Sequence, residues 1–291
     1  KRILEQYRFY DLRAGRGGEE IDILFPGWQA GDERLMVLSP HDDDALLGAG
    51  YAISAALAHG AEAHVCIYCD GSAGYSVPED RERIVAVRRE ETYTAYGLLG
   101  LGPEHVHRLE LPDFSANQYL GWKLASGGYG VLQTLLPLMR RLRVTRLFVP
   151  NGYREHLDHE ATYDSGRYDG VQVGDPVLVD LGAPYPLRST AIYAVWGDLS
   201  PEDALLHGAP VDIRANRAIV ADYAVEQTLA RGLAAWRSQA QIIEGLLAAR
   251  RERDCGMGML EVYTAFDPRP RLDYGPYVRL VRDLAQQDDA R

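Results

Sequence analysis

From Leu35 onward the chain alternates between short apolar runs and longer amphipathic stretches. "LMVLS" (35–39) is a continuous apolar run of strand length. "ALLGAGYAISAALAHG" (45–60) follows with helical spacing and a terminal glycine, Gly60. "AEAHVCIYCD" predicts a second strand, and "PEDRERIVAVRREETYTAYGLLG" predicts a helix with Pro78 near its start and Gly100 past its end. "HVHRLEL" and "VTRLFVP" predict a third and a fourth strand. Between them "GYGVLQTLLPLMRRLR" predicts a helix bent or interrupted at Pro137. A later strand, "STAIYAVW", and one long helix, "AVEQTLARGLAAWRSQAQIIEGLLAARRER", complete the pattern.

This order predicts an α/β fold, a doubly wound, mostly parallel Rossmann-like sheet with helices on both faces, in one domain. The domain is expected over residues 34–270. Residues 1–33, with turn signals in "RAGRGGEE" and "FPGW", are expected to form an extension packed on it. Residues 271–291 are expected as a C-terminal tail or helix, and the Gly/Pro/Asp-rich stretch 164–190 as long loops or a small hairpin near the ligand end. There is no internal repeat.

Two polar clusters break the alternation, each directly after an apolar strand. "PHDDD" (40–44) follows the first strand, and "NGYREHLDHEAT" (151–162) follows the fourth. Ligands of doubly wound sheets bind beyond the C-terminal ends of the strands, so the fold is expected to bring both clusters to one edge. Buried charge is tolerated when it is paired or binds a metal. Imidazole and carboxylate are natural ligands of a catalytic zinc, typically three protein groups with a fourth position for water. His41 and Asp44, three apart at a strand-to-helix turn, supply two, and the second cluster supplies a third. A spare carboxylate is then available as general base and a spare histidine for a developing oxyanion. The competing reading of the aspartates is helix capping, with Asp43 or Asp44 as no more than an N-cap.

Composition narrows the partners. With 31 Lys+Arg against 42 Asp+Glu the net charge is −11, which disfavours nucleic acid and anionic membranes. No apolar run is long enough for a membrane span. No charged-then-apolar leader opens the sequence, and it begins at Lys1 rather than Met, so preceding residues are left open. Cys66 and Cys69 form a CxxC inside a strand, where the odd offset is expected to send them to opposite faces as buried thiols, and a reducing cytoplasm fits best. His105 and His107 are expected on a solvated strand face rather than in a second metal site. The 18 tyrosines mildly favour a carbohydrate-like substrate.

The two clusters resemble the motifs of the PIG-L/LmbE-type zinc deacetylases, His-Pro-Asp-Asp-Glu and His-Pro-Asp-His. Here they read His41-Asp42-Asp43-Asp44-Ala45 and His156-Leu157-Asp158-His159. "CDGSAG", "VRREETYTAYGLLG", "LELPDF", "WRSQ" and "LEVYTAF" extend the likeness over about residues 35–266. The resemblance implies one Zn2+ on His41, Asp44 and His159, Asp43 as general base, and His156 at the tetrahedral oxyanion. Asp158 would orient or charge His156 and raise its pKa. Arg88 and Asp113 match substrate-contacting positions. Asp42 in place of Pro leaves open whether Asp42 or Asp43 is the base, and Ala45 in place of Glu alters the support behind the metal. The implied activity is metal-dependent removal of an acyl group, expected as acetyl, from an N-acetylglucosamine-like conjugate; nothing bars a homo-oligomer. The rival readings are a magnesium-dependent phosphohydrolase, a non-catalytic binding protein on a decayed deacetylase fold, and a dinucleotide enzyme suggested by "GAGYAI".

Overall fold

The structure, a computed structural model, describes residues 6–289. One nine-stranded sheet runs through it. Its strands are β1 (Tyr7–Asp11), β2 (Arg16–Gly18), β3 (Arg34–Ser39), β4 (Glu62–Cys69), β5 (Val106–Leu111), β6 (Arg146–Pro150), β7 (Ser189–Tyr193), β8 (Arg217–Ala221) and β9 (Met259–Phe266), in the order β2-β1-β8-β9-β7-β6-β3-β4-β5. The half from β5 to β7 is parallel and doubly wound, as expected. The half from β9 to β2 is antiparallel. Residues of the expected N-terminal extension therefore enter the sheet as β1 and β2; residues 1–5 of that segment lie outside the described residues.

The helices are α1 (Asp44–Ala58), α2 (Ile84–Gly97), α3 (Leu132–Leu142), α4 (Leu157–Asp164), α5 (Pro201–Leu206), α6 (Tyr223–Leu233), α7 (Ala240–Arg250) and α8 (Gly275–Asp289). The two faces of the sheet bury different cores. Leu35 and Val37 of β3 face α1 and α6, while Met36 and Leu38 face α3. Period-two alternation with both faces covered explains why the strand reads as an unbroken apolar run. The long C-terminal helix expected from the sequence is two, because the chain breaks at Trp236, whose indole is buried, before restarting as α7. α3 continues through Pro137. Residues 165–174 form short helical turns rather than a hairpin.

The "GAG" segment is a packing device. A Cβ on Gly48 would strike the Tyr193 ring and the Ala194 carbonyl, and one on Gly50 would strike Leu229. Both glycines let α1 approach the sheet and α6, which removes the dinucleotide reading. Cys66 and Cys69 are both buried in the α3-side core, not on opposite faces, because the β4–β5 register shifts between Ile67 and Cys69. Burial raises both thiols, Cys66 to about 12.

Candidate metal centre

The turn after β3 is built by Ser39. Its hydroxyl donates to the His41 carbonyl (2.6 Å) and accepts from Ala45 N–H (3.0 Å), folding the polar cluster back over the strand end. The three aspartates then take three environments. Asp42 is fully buried, and both its oxygens are engaged: Arg88 Nε donates at 2.9 Å to one, Thr92 Oγ1 at 2.9 Å and Arg108 Nη1 to the other. Asp43 stands at the N-cap of α1 yet makes no side-chain capping bond. Asp44 Oδ2 accepts from His41 N–H at 2.9 Å and lies 3.1 Å from both His41 Nδ1 and His159 Nε2. Capping therefore does not account for Asp43. Ala45 packs into the apolar core, and Arg88 faces two carboxylates, Asp42 at 2.9 Å and Asp43 at 3.9 Å.

The second cluster follows β6. His156 caps α4: its Nδ1 accepts from Asp158 N–H at 3.1 Å. One turn on, His159 Nδ1 meets Glu155 Oε2 at 2.8 Å. Glu155 Oε1 gathers the N–H groups of Val195, Trp196 and Gly197 at 2.8–3.1 Å. His159 Nε2 is buried and has no hydrogen-bond partner among the described residues, although it faces Asp44. The Asp158 carboxylate accepts from Phe114 N–H (2.7 Å) and Ala116 N–H (3.1 Å) and lies 3.3 Å from His41 Nε2.

Electrostatics mark the cluster as short of a cation. Burial disfavours the charged form of His41, but Asp158 and Asp44 outweigh it and lift the imidazole to about 10. Burial opposes a charged His159 too, yet Asp44 and Glu155 raise it to about 9. Asp44 is held well below its ordinary value despite burial, by His159 and His41. Burial and the charge of Asp44 push Asp43 up to about 6. Asp158 falls to about 2: its hydrogen bonds from His41, Phe114 and Ala116 outweigh burial. Without a metal, protons supply the positive charge these carboxylates require.

Three donor sets, all sharing His41, converge within 4.8 Å: His41 with Asp44 and His159, with His156 and Asp158, or with Cys69 and Asp113. Cys69 is a protonated thiol, raised by burial and then by Asp158 and Asp113. The Asp158 carboxylate is already taken up by two backbone N–H groups. Only the first set contains a buried ring nitrogen left without a partner, and that donor set fits a divalent ion.

The fold thus gathers His41, Asp43, Asp44, His156, Asp158 and His159 at one strand edge. Two sequence expectations are corrected. Arg88 does not face an open cleft; it is buried behind the aspartates, with Gly71 and Gly74 so close that a Cβ on either would strike it. His156 is lowered, not raised, by burial and by His41, and this outweighs Asp158, which lies 3.6 Å away. Asp113 is half-buried and holds a loop, accepting from Gly71 and Ala73 N–H at 3.0 and 2.9 Å. His105 and His107 are not simply solvated: they cluster with buried His64, with His107 Nε2 3.4 Å from His64 Nδ1. Glu155, Arg108, Phe114 and Trp196 escaped sequence reasoning. Glu155 alone carried a usable signal, its i,i+4 spacing to His159 at a helix start.

The sequence profile of the family described as PIG-L: GlcNAc-PI de-N-acetylase matches residues 36–167. No curated protein matches the chain significantly by sequence. Among solved structures, N,N'-diacetylchitobiose deacetylase from Pyrococcus horikoshii is 19% identical with a TM-score of 0.62, over 81% of this chain and 84% of that one. The 4-carboxy-2-hydroxymuconate hydratase GalB from Pseudomonas putida is 16% identical with a TM-score of 0.59, over 83% and 99%. A zinc-inhibited form of teicoplanin deacetylase is 17% identical with a TM-score of 0.50, over 80% and 99%. These structures share the fold, and no helix among the described residues is long and apolar enough to cross a membrane. The profile match begins in β3 and ends beyond α4, so the chain carries a match to the PIG-L family over residues 36–167, a stretch that spans both polar clusters and every residue of the first donor set.

Proposed function

We propose that the protein is a metal-dependent N-deacetylase acting on an N-acetylglucosamine-like conjugate, with one zinc-class ion held by His41, Asp44 and His159. The observation that carries the reading is the convergence of His41, Asp44 and His159 within 4.8 Å, with the buried Nε2 of His159 3.1 Å from Asp44 yet satisfied by no hydrogen bond among the described residues, next to a carboxylate, Asp43, that caps nothing. Two imidazoles in the donor set favour a zinc-class ion over magnesium. Such an ion, when bound, supplies a Lewis acid and an acidified water.

The chain's own groups do the rest. Asp43 receives the proton of the attacking water and delivers it to the departing amine. Its environment suits this: it is only 9% exposed, and its carboxyl is raised toward neutrality. Asp42, with both oxygens engaged, is not the base; it holds the turn on which Asp43 sits. His156 accepts at Nδ1 from the Asp158 N–H, so in the neutral ring the proton is on Nε2. It steadies the oxyanion as a neutral donor rather than as an imidazolium. Asp158 positions His41 and the 114–116 backbone, and Asp113 holds the loop at 71–73 from which substrate contacts are made.

The fold is shared with a hydratase, so fold alone does not choose between water addition to an amide and to a carbon–carbon double bond; the family match favours the amide. The test is a panel of N-acetyl amino sugars assayed for acetate, with the metal content of the same sample measured. Acetate release that falls with zinc content in His159→Ala supports the reading. A zinc-replete protein that releases no acetate from any member, or that releases phosphate from phosphomonoesters with magnesium, defeats it.

A further inference from the structure

Two exposed aromatic rings lean on the imidazole cluster. Phe114 is 61% exposed and Trp196 is 50% exposed. The Phe114 ring centroid lies 4.6 Å from that of His156, and the Trp196 ring 4.7 Å from that of His159. The rings of His41, His156 and His159 stand 5.0, 5.4 and 6.0 Å apart. The two aromatics thus abut different corners of one small triangle.

Each is fixed through its backbone by a carboxylate that also contacts a site histidine. Asp158 Oδ2 accepts from Phe114 N–H and faces His41. Glu155 accepts from Trp196 N–H with one oxygen and meets His159 Nδ1 with the other. Phe114 has φ of 61°, a left-handed conformation that a bulky residue rarely adopts and that glycine would adopt without strain. Strain retained beside a reactive centre points to use of the side chain that causes it. An exposed, immobilised aromatic face complements the apolar C–H face of a ring. A flexible linear amine offers less area and loses more freedom on binding.

Resting on the deacetylase reading, the geometry points to Phe114 and Trp196 as specificity-determining residues, two walls of one subsite. They select N-acyl amines carried on a ring with an apolar face, such as a pyranose, over linear N-acyl amines.

The test compares zinc-loaded full-length Phe114→Ala, Phe114→Gly and Trp196→Ala with the parent on N-acetylglucosamine and on N-acetylethanolamine. The expected result is a kcat/KM loss of about 10- to 100-fold on the pyranose, the value of one apolar side chain's contact. The linear amide should change by less than about threefold, and zinc content should not change. Phe114→Gly should also melt about 2–4 °C higher than Phe114→Ala, which keeps the strained backbone. Equal losses on both amides, or loss of zinc, would make the rings supports of the cluster and overturn the proposal, as would equal melting temperatures for the two Phe114 variants. If the zinc-loaded parent hydrolyses neither amide nor any other N-acetyl amino sugar of the panel, the deacetylase reading fails on its own. Calorimetric binding of glucosamine then decides about the walls: affinity at least tenfold weaker in the variants supports them, and unchanged affinity overturns them.

Discussion

β3 carries a buried carboxylate cluster at each end, about 20 Å apart by strand rise. At its start Glu33 is paired completely. Arg146 donates from Nε and Nη2 at 2.9 and 2.8 Å, Thr145 Oγ1 at 2.7 Å and Arg188 Nη1 at 2.9 Å. At its end Asp44 faces two histidines, one of which keeps a buried nitrogen without a partner. Both clusters are buried and both contain opposite charges. The first is closed by hydrogen bonds from protein groups; in the second His159 Nε2 stands 3.1 Å from Asp44 but is satisfied by no hydrogen bond among the described residues. Burial of charge therefore does not mark function. An unmet donor beside it does.

The sharpest break of that comparison exchanges the two ends. Asp44→Ala or His159→Ala should remove most bound metal and bring amide hydrolysis to background while leaving the fold intact, as read by metal analysis and circular dichroism. Substitution of Glu33 should do the reverse, costing stability while zinc content and kcat stay. A Glu33 variant that loses zinc first would show that the two ends are not independent.

The next largest effect separates neighbouring aspartates. Asp43→Asn should keep zinc, unfold like the parent, and lose roughly 10²- to 10⁴-fold in kcat, the usual share of general base catalysis. Asp42→Asn removes the nearest buried counter-charge of Arg88 and Arg108, leaving Arg88 with Asp43 at 3.9 Å and Arg108 with the exposed Glu110, and should cost about 3 kcal/mol in urea unfolding. Arg88→Met should cost a similar amount for the converse reason. An Arg88 variant of normal stability with a raised KM would return that residue to substrate binding.

The sequence revealed the parallel half and the two clusters because each signal was local. A continuous apolar run means a strand covered on both faces, and charge at its end has few places to go. The antiparallel half was hidden. β1 and β8 each span five residues and lie far apart in sequence, and their pairing, with Tyr7 opposite Ala221, leaves no local mark. The same holds within the site. Arg88 sits where a substrate contact was expected, but its direction depends on Gly71 and Gly74 closing over it. His156 has a carboxylate two residues away, which suggests a raised pKa; burial and the nearby His41 lower it instead. Sequence adjacency gives the neighbours of a group but not the bonds it makes.

The smallest effect tests the closed end through pH. Burial alone would raise the Glu33 carboxyl, yet hydrogen bonds from Arg146 and Thr145 outweigh it and lower it from 4.5 to about 2. A carboxyl depressed in the folded state stabilises above its unfolded pKa, and that contribution fades as pH falls toward the folded value. That depression corresponds to about 3 kcal/mol, present at neutral pH and lost progressively between about pH 5 and pH 2. Asp158 is depressed as well, so acid lability of the parent alone does not identify Glu33. The comparison with Glu33→Gln does. At pH 7 the variant should be less stable by about 3–5 kcal/mol, because Arg146 is left buried beside a neutral amide. Toward pH 2 the two proteins should converge, since protonated Glu33 is then as neutral as Gln. Urea unfolding at pH 7, 4 and 2.5 measures this. A stability gap that stays constant across the three values would mean that Glu33 acts by shape alone and that its charge is not what closes that end of the strand.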